Sequence, residues 1–149
     1  MTPPEVHLKV RQIFEVAVYE WASEQTPEIP VSFENAQIAP ETAKYLVQVM
    51  AVPTITRSRT LAGTDHTQCS GVIQVNVLVP LMEGVAKASE IASALSEMFP
   101  TYSRIPEITP EGVTPRFHVQ VVSPVEIMPG LQTNTKYTVP ISLRYRVDI

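Results

Sequence analysis

The sequence predicts an α+β fold in which a four-stranded mixed or antiparallel sheet carries two helices on one face, in the element order αββαββ. Three observations carry this reading. Two stretches place apolar residues at helical spacing, four others alternate apolar and polar residues, and prolines punctuate the joins between them.

The first helix starts at Thr2-Pro3-Pro4-Glu5, where Thr2 is the N-cap, Pro3 takes the first helical position and Glu5 closes a capping box. Val6, Val10, Ile13, Ala17 and Trp21 then form one apolar side, so the helix runs to about Ser23. The prolines of Thr26-Pro27-Glu28-Ile29-Pro30 favour extended chain after it, an arm that Val31 and Phe33 continue. Strand one covers Lys44 to Val52, with Tyr45, Val47, Val49 and Ala51 on one side and Leu46, Gln48 and Met50 on the other. From Pro53 to Gln68 the apolar signal gives way to a loop or an extended hairpin arm. Strand two resumes at Gly71 and stops at Pro80, which has no N–H to give a ladder.

Val85, Ala88, Ile91, Ala92, Leu95 and Phe99 make the second amphipathic helix, from Gly84 to Phe99, which Pro100 ends. Phe117, Val119 and Val121 mark strand three. Strand four is the cleanest alternation in the chain, through Tyr137, Val139, Ile141, Leu143, Tyr145 and Val147. Pro140 inside it points to an edge position or a bulge. Two helices cover one side of such a sheet. The other side would hold Leu46, Met50, Val72, Leu78, Val122 and Pro140 among Gln48, Gln74, Asn76, His118 and Gln120, which is too apolar for an ordinary wet surface and too polar for a core. Self-association would account for it, and so would proline-rich loops folding back over it.

At 149 residues and 44% hydrophobic content the chain has the size of one domain, spanning residues 1–149, with enough apolar surface to fold without staples. The single cysteine, Cys69, excludes an internal disulfide. No apolar run reaches the roughly 18 residues of a membrane span, and the N-terminus lacks the basic start of a signal peptide, so a soluble protein made in a reducing cytoplasm is expected. The net charge of -4 argues against a general attraction to nucleic acid. Charge is uneven, however: seven acids and two bases precede residue 42, whereas the remainder has eight acids and nine bases. Opposed patches of this kind can pair between copies.

The inventory for catalysis is thin. Asp65 and Asp148 are the only aspartates, and His7, His66 and His118 the only histidines. His7 beside the first apolar side and His118 on a strand both read as structural, and no motif for a P-loop, dinucleotide site, zinc protease or nucleophile elbow occurs. The densest polar cluster, Gly63 to Gly71, holds Asp65, His66 and Cys69. Sequence neighbours on a loop seldom give a thiol its base and oxyanion site, and Cys69 reads as a small buried residue. No catalytic residue, metal or cofactor is expected. Arg57 and Arg59 in the same loop, and Arg144 and Arg146 on strand four, read either as solvated charges or as contacts to an acidic neighbour, such as the glutamate-rich first helix of another copy, or to a passing polyanion.

Three segments taken in order resemble a known family: Pro30-Val31-Ser32-Phe33-Glu34-Asn35 leading to Pro40, then Tyr45-Leu46-Val47-Gln48-Val49, then Gly71 to Pro80 with the helix that ends in Leu95 and Phe99. The resemblance is to the phage tail terminator family, which includes the minor tail protein U of lambda-like siphophages. It covers about the first two thirds of the chain, and the last third matches in element order. Where that family has a second glycine soon after the proline, this chain has Leu81-Met82-Glu83-Gly84.

The resemblance implies a structural virion protein, assembled in the bacterial host cytoplasm and residing in the virion tail. Copies of it would form a hexameric ring on the tail tube protein, end tube polymerisation and present a surface to the head completion protein, with a passing contact to DNA in the lumen. It also implies that the loop joining the first two strands reaches toward the tube, which makes Arg57, Arg59, Asp65 and His66 interface candidates, together with Arg144 and Arg146. Two other readings stand beside it: another neck or head-tail joining subunit, and a small ligand-binding α+β domain with its pocket beneath the Pro53 to Gln68 loop.

Overall fold

The computed structural model describes residues 2–25, 28–33, 45–58, 67–81, 84–133 and 136–149. Helix α1 spans Pro3–Ser23, and strands β1 (Val31–Phe33), β2 (Leu46–Ser58) and β3 (Thr67–Pro80) follow. Helix α2 (Gly84–Glu97) precedes β4 (Arg104–Pro106), β5 (His118–Val121), β6 (Glu126–Ile127), β7 (Leu131–Gln132) and β8 (Lys136–Asp148). The α+β class holds, but the sheet is larger than the four strands expected.

Among the described residues the eight strands share one sheet, with path order β1-β2-β3-β8-β5-β4 and with β6 and β7 also paired to β8. The short strands β5, β6 and β7 lie end to end along one edge of β8, and β3 takes the other edge. The arm at Val31–Phe33 is a strand in its own right and runs parallel to β2, while every other pairing is antiparallel. The sheet is therefore mixed.

Start signals at α1 act as the sequence predicts. The Glu5 carboxylate accepts a 2.7 Å hydrogen bond from the Thr2 N–H, which holds that carboxyl below its usual range. The buried side of α1 consists of Val6, Val10, Ile13, Phe14, Val18 and Ala22, with Ala17 and Trp21 only partly covered. On α2, Ala88, Ile91, Ala92 and Leu95 are buried, whereas Val85 in the first turn is 58% exposed and takes no part in the core. The helices pack on the same side of the sheet. Phe14 of α1 meets Phe99 beyond α2 edge-on at 5.2 Å between ring centres, and approaches Tyr145 of β8 at 6.4 Å.

Burial alternates along β3 with period two, so Cys69, Ile73, Val75, Val77 and Val79 face the helices. Val47 and Val49 of β2 and Val139, Ile141, Leu143, Tyr145 and Val147 of β8 join them. Gly71 sits in that row for lack of a side chain. A Cβ there would collide with the ring and hydroxyl of Tyr145, its cross-strand partner. The Tyr145 ring thus lies across Gly71, and its hydroxyl is 2.7 Å from His7 Nδ1 of α1. Burial pushes the Tyr145 phenol up to about 12 and lowers the His7 imidazole. His7 is structural, as its place beside the apolar side predicts.

Pro140 is neither on an edge strand nor in a bulge of β8: that strand is central and stays in unbroken register with β3 through Asn76↔Pro140. The Met128 N–H donates to the Pro140 carbonyl, so the proline nitrogen also faces the β6–β7 side. There the register passes from Ile127↔Ile141 to Leu131↔Thr138, and three residues of the neighbour stand opposite two of β8. The irregularity lies in the neighbouring segment, on the side that the proline nitrogen faces. Pro53 marks the comparable break in β2, whose register with β3 shifts between Pro53 and Ile55.

Candidate assembly surface

Neither helix covers the side of the sheet turned away from them; among the described residues there, Val52, His118 and Arg144 are exposed, Pro140 is buried, and Leu46, Gln48, Met50, Val72, Gln74, Asn76 and Leu78 are half-buried. The rows of this side follow from the register. Leu46, Leu78 and Thr138 cross one end, Gln48, Asn76 and Pro140 and then Met50, Gln74 and Ser142 cross the middle, and Val52, Val72 and Arg144 come next. The Gln74 amide donates to Asn76 Oδ1 at 2.9 Å, and the Asn76 amide reaches Met50 Sδ at 3.9 Å, so the middle rows satisfy part of their own polarity. The half-apolar composition predicted for this surface is what the pairing produces. The proline-rich stretch containing β6 and β7 extends the sheet edge to edge along β8.

At the far end the next row is Arg104, Gln120, Arg146 and Ser70, contributed by four adjacent strands. Arg146 donates through Nε (2.9 Å) and Nη2 (2.8 Å) to Asp148 Oδ2, and the Arg144 N–H is received by Ser123 Oγ at 3.2 Å. Between these residues lies a groove of about 510 Å³ walled by Thr54, Gln68, Ser70, Val72, Val122, Arg144 and Arg146. A second hollow of about 420 Å³ lies beside it, against Arg104, Arg116, Phe117, His118, Gln120, Arg146 and Asp148. Both share Arg146. Apolar floor with guanidinium walls suits an acidic, partly apolar protein surface.

Of the predicted contact residues, Arg144 and Arg146 stand two apart on β8 and share this surface with its groove. Arg57 belongs to the paired arm: its backbone is in register with Gln68, whose other partner is Asp148. The hairpin reading of Pro53 to Gln68 therefore holds as far as Ser58↔Thr67. Arg59, Asp65 and His66 lie outside the described residues, as do Glu34 to Pro40 of the segment that carried the family resemblance. Arg104 was missed, because a three-residue strand is too short to show alternation. Gln68 and Ser70 escape the sequence reading because they precede Gly71, where the apolar alternation begins, while the strand itself begins at Thr67.

Of the polar cluster Gly63 to Gly71, Asp65 and His66 lie outside the described residues, and Cys69 is the small buried residue it reads as. Cys69 is fully buried on the helix side of β3, opposite Val147, whereas Gln68 and Ser70 face the other way. Among the described residues no group of three His, Cys, Asp or Glu side chains is placed to hold a metal ion. Among the described residues one carboxylate is deeply covered, that of Glu107, and it is taken by Arg116. It accepts from the Arg116 N–H at 3.0 Å and from Nη2 at 2.6 Å, and this guanidinium holds the carboxyl below its usual range. The pair ties off the loop between β4 and β5. No helix of the described residues is long and apolar enough to cross a membrane.

Fold and surface together define an α+β protein whose sheet, on the side away from the helices, is half apolar and bordered by arginines. A family model described as phage tail terminator protein matches residues 9–145, and the chain belongs to that family. The match runs well beyond the first two thirds from which the resemblance was drawn. One solved structure, of a protein whose recorded name carries no function, is 32% identical and superposes with a TM-score of 0.74 over 93% of this chain and 92% of that one. No curated protein matches. Family membership makes this a structural protein of the phage tail, whose working contacts are with other tail components.

Proposed function

We propose that copies of this chain form a ring that caps the phage tail tube, ends tube polymerisation and provides the surface to which the head attaches, with DNA passing through the lumen. The ring would be a hexamer, assembled in the host cytoplasm and retained in the virion tail. The observation that carries this is the family match over residues 9–145. The open sheet supports it, because a cyclic ring needs two different complementary patches on each subunit and this surface is suited to be one of them. The segment from Pro53 to Gln68, whose sequence holds Arg57, Arg59, Asp65 and His66, is the part assigned to the tube. Arg144 and Arg146 are assigned to contact between subunits.

Deletion of the gene tests the reading directly. Electron microscopy of lysates should show headless tails of uncontrolled length, and adding purified protein to growing tubes in vitro should stop them and restore head joining. Tails of normal length with heads attached in the deletion strain would refute it.

A further inference from the structure

α1 carries a second apolar line besides the one it buries. Leu8, Gln12, Val16 and Tyr19 recur at intervals of four, four and three residues, so they stack along one side of the helix. Leu8 is 59% exposed, Tyr19 53% and Val16 39%. Single exposed apolar residues are ordinary. Three in line on the outer side of a helix form a docking strip of the kind an amphipathic helix lays into a groove.

The opposite side of α1 packs on the sheet, so the strip and the open sheet surface look in opposite directions from one molecule. They also match. The strip runs about 16 Å from Leu8 to Tyr19 at 1.5 Å per residue, and the four strands β2, β3, β8 and β5 span about 14 Å. Their charges are opposed: residues 2–25 hold Glu5, Glu15, Glu20 and Glu24 against Lys9 and Arg11, while the groove end of the sheet presents Arg104, Arg144 and Arg146 against Asp148. The groove floor is apolar through Val72 and Val122, which suits a helix better than a bare polyanion.

We propose that the Leu8–Val16–Tyr19 strip of one copy docks on the open sheet of a second copy, across the groove between Val72, Val122, Arg144 and Arg146. This rests on the reading of the chain as a ring subunit and names the two surfaces that meet. Because those surfaces differ and sit on opposite sides, the contact is head-to-tail, the kind that propagates until rotation closes it.

A mixing experiment tests it. L8E/Y19E breaks the strip and T54E/R144E breaks the groove, all four at exposed positions, and circular dichroism melts check that both variants stay folded. In sedimentation across concentration the wild type should self-associate, and each variant alone should do so at least about 30-fold more weakly, as expected for loss of interface anchors. Mixed in equal amounts, the two variants should form a one-to-one dimer and nothing larger, since each retains the surface the other has lost. A monomeric wild type at the highest attainable concentration, a variant that associates like wild type, or a mixture that stays monomeric would each overturn the proposal. If the variants associate normally while the gene deletion still gives overlong tails, this pairing fails and the tube-capping reading stands. If the mixture dimerises while the deletion leaves tail length normal, the pairing stands and the capping reading fails.

Discussion

Replacing Gly71 with alanine is the sharpest test of how the core is built. The new Cβ would occupy space held by the Tyr145 ring and hydroxyl. That ring is 1% exposed, meets Phe14 and reaches His7 of α1, so it has no open side into which to swing. Overpacking of this kind costs about 1–3 kcal/mol, and losing the His7 hydrogen bond adds about 1 kcal/mol. A total near 3 kcal/mol lowers the melting midpoint of a chain this size by roughly 6–12 °C. The assay is a four-way thermal and urea cycle of wild type, Gly71→Ala, Tyr145→Leu and the double variant. Shortening the side chain removes the obstacle, so Gly71→Ala in the leucine background should cost less than about 1 kcal/mol, a coupling of about 2 kcal/mol within the range for residues in contact. Equal costs of Gly71→Ala in the two backgrounds would refute the reasoning.

Other expectations concern protons and charge. Since the His7 imidazole is held below 6.5 by burial, the unfolded chain takes up that proton first, and stability should fall as pH drops from about 6.5; His7→Gln should flatten that part of a urea-stability profile. The Glu107 carboxyl, held down by Arg116, contributes stability above its unfolded value of about 4.5 that is lost on further acidification; Glu107→Gln should remove that limb. Tyr145 has the opposite sign: its neutral phenol is kept to about 12, so its contribution is intact below about 10 and is lost as pH rises toward 12, a limb that Tyr145→Phe should abolish. In the virion, R57E/R59E should leave the monomer folded by circular dichroism while impairing tail completion. A normal yield of infectious particles from that mutant would exclude the arm as the tube contact.

Much of the fold was legible because its long elements obey their periods. Alternation in Gly71 to Pro80 and Tyr137 to Val147 separated the two sides of the sheet residue by residue, and the mixed surface inferred from it is the one the register builds. The pair Arg144 and Arg146 was visible by the same rule, since positions two apart on a strand share a side. Strands of two or three residues, such as Arg104–Pro106 and Glu126–Ile127, give no period to read, so half of the sheet's strands went unseen and Arg104 with them. Pro140 misled for a physical reason: a missing N–H matters only on the side where a partner waits, and sequence does not show on which side the neighbour is interrupted. The outer strip of α1 was hidden in a similar way, because a helix with two apolar lines draws attention to the one that is buried.

The central position of β8 also sets a timetable. It joins β3 on one side to β5, β6 and β7 on the other, yet the ribosome makes it after every strand it connects. At roughly 5–20 residues per second, the 55 residues between Pro80 and Lys136 keep β3 waiting about 3–11 s with a bare edge. A chain that stops short of β8 is left with β1–β2–β3 and β5–β4 unjoined and without the strand that β6 and β7 pair with, and it lacks Arg144 and Arg146 altogether. An unfinished chain therefore presents no completed sheet.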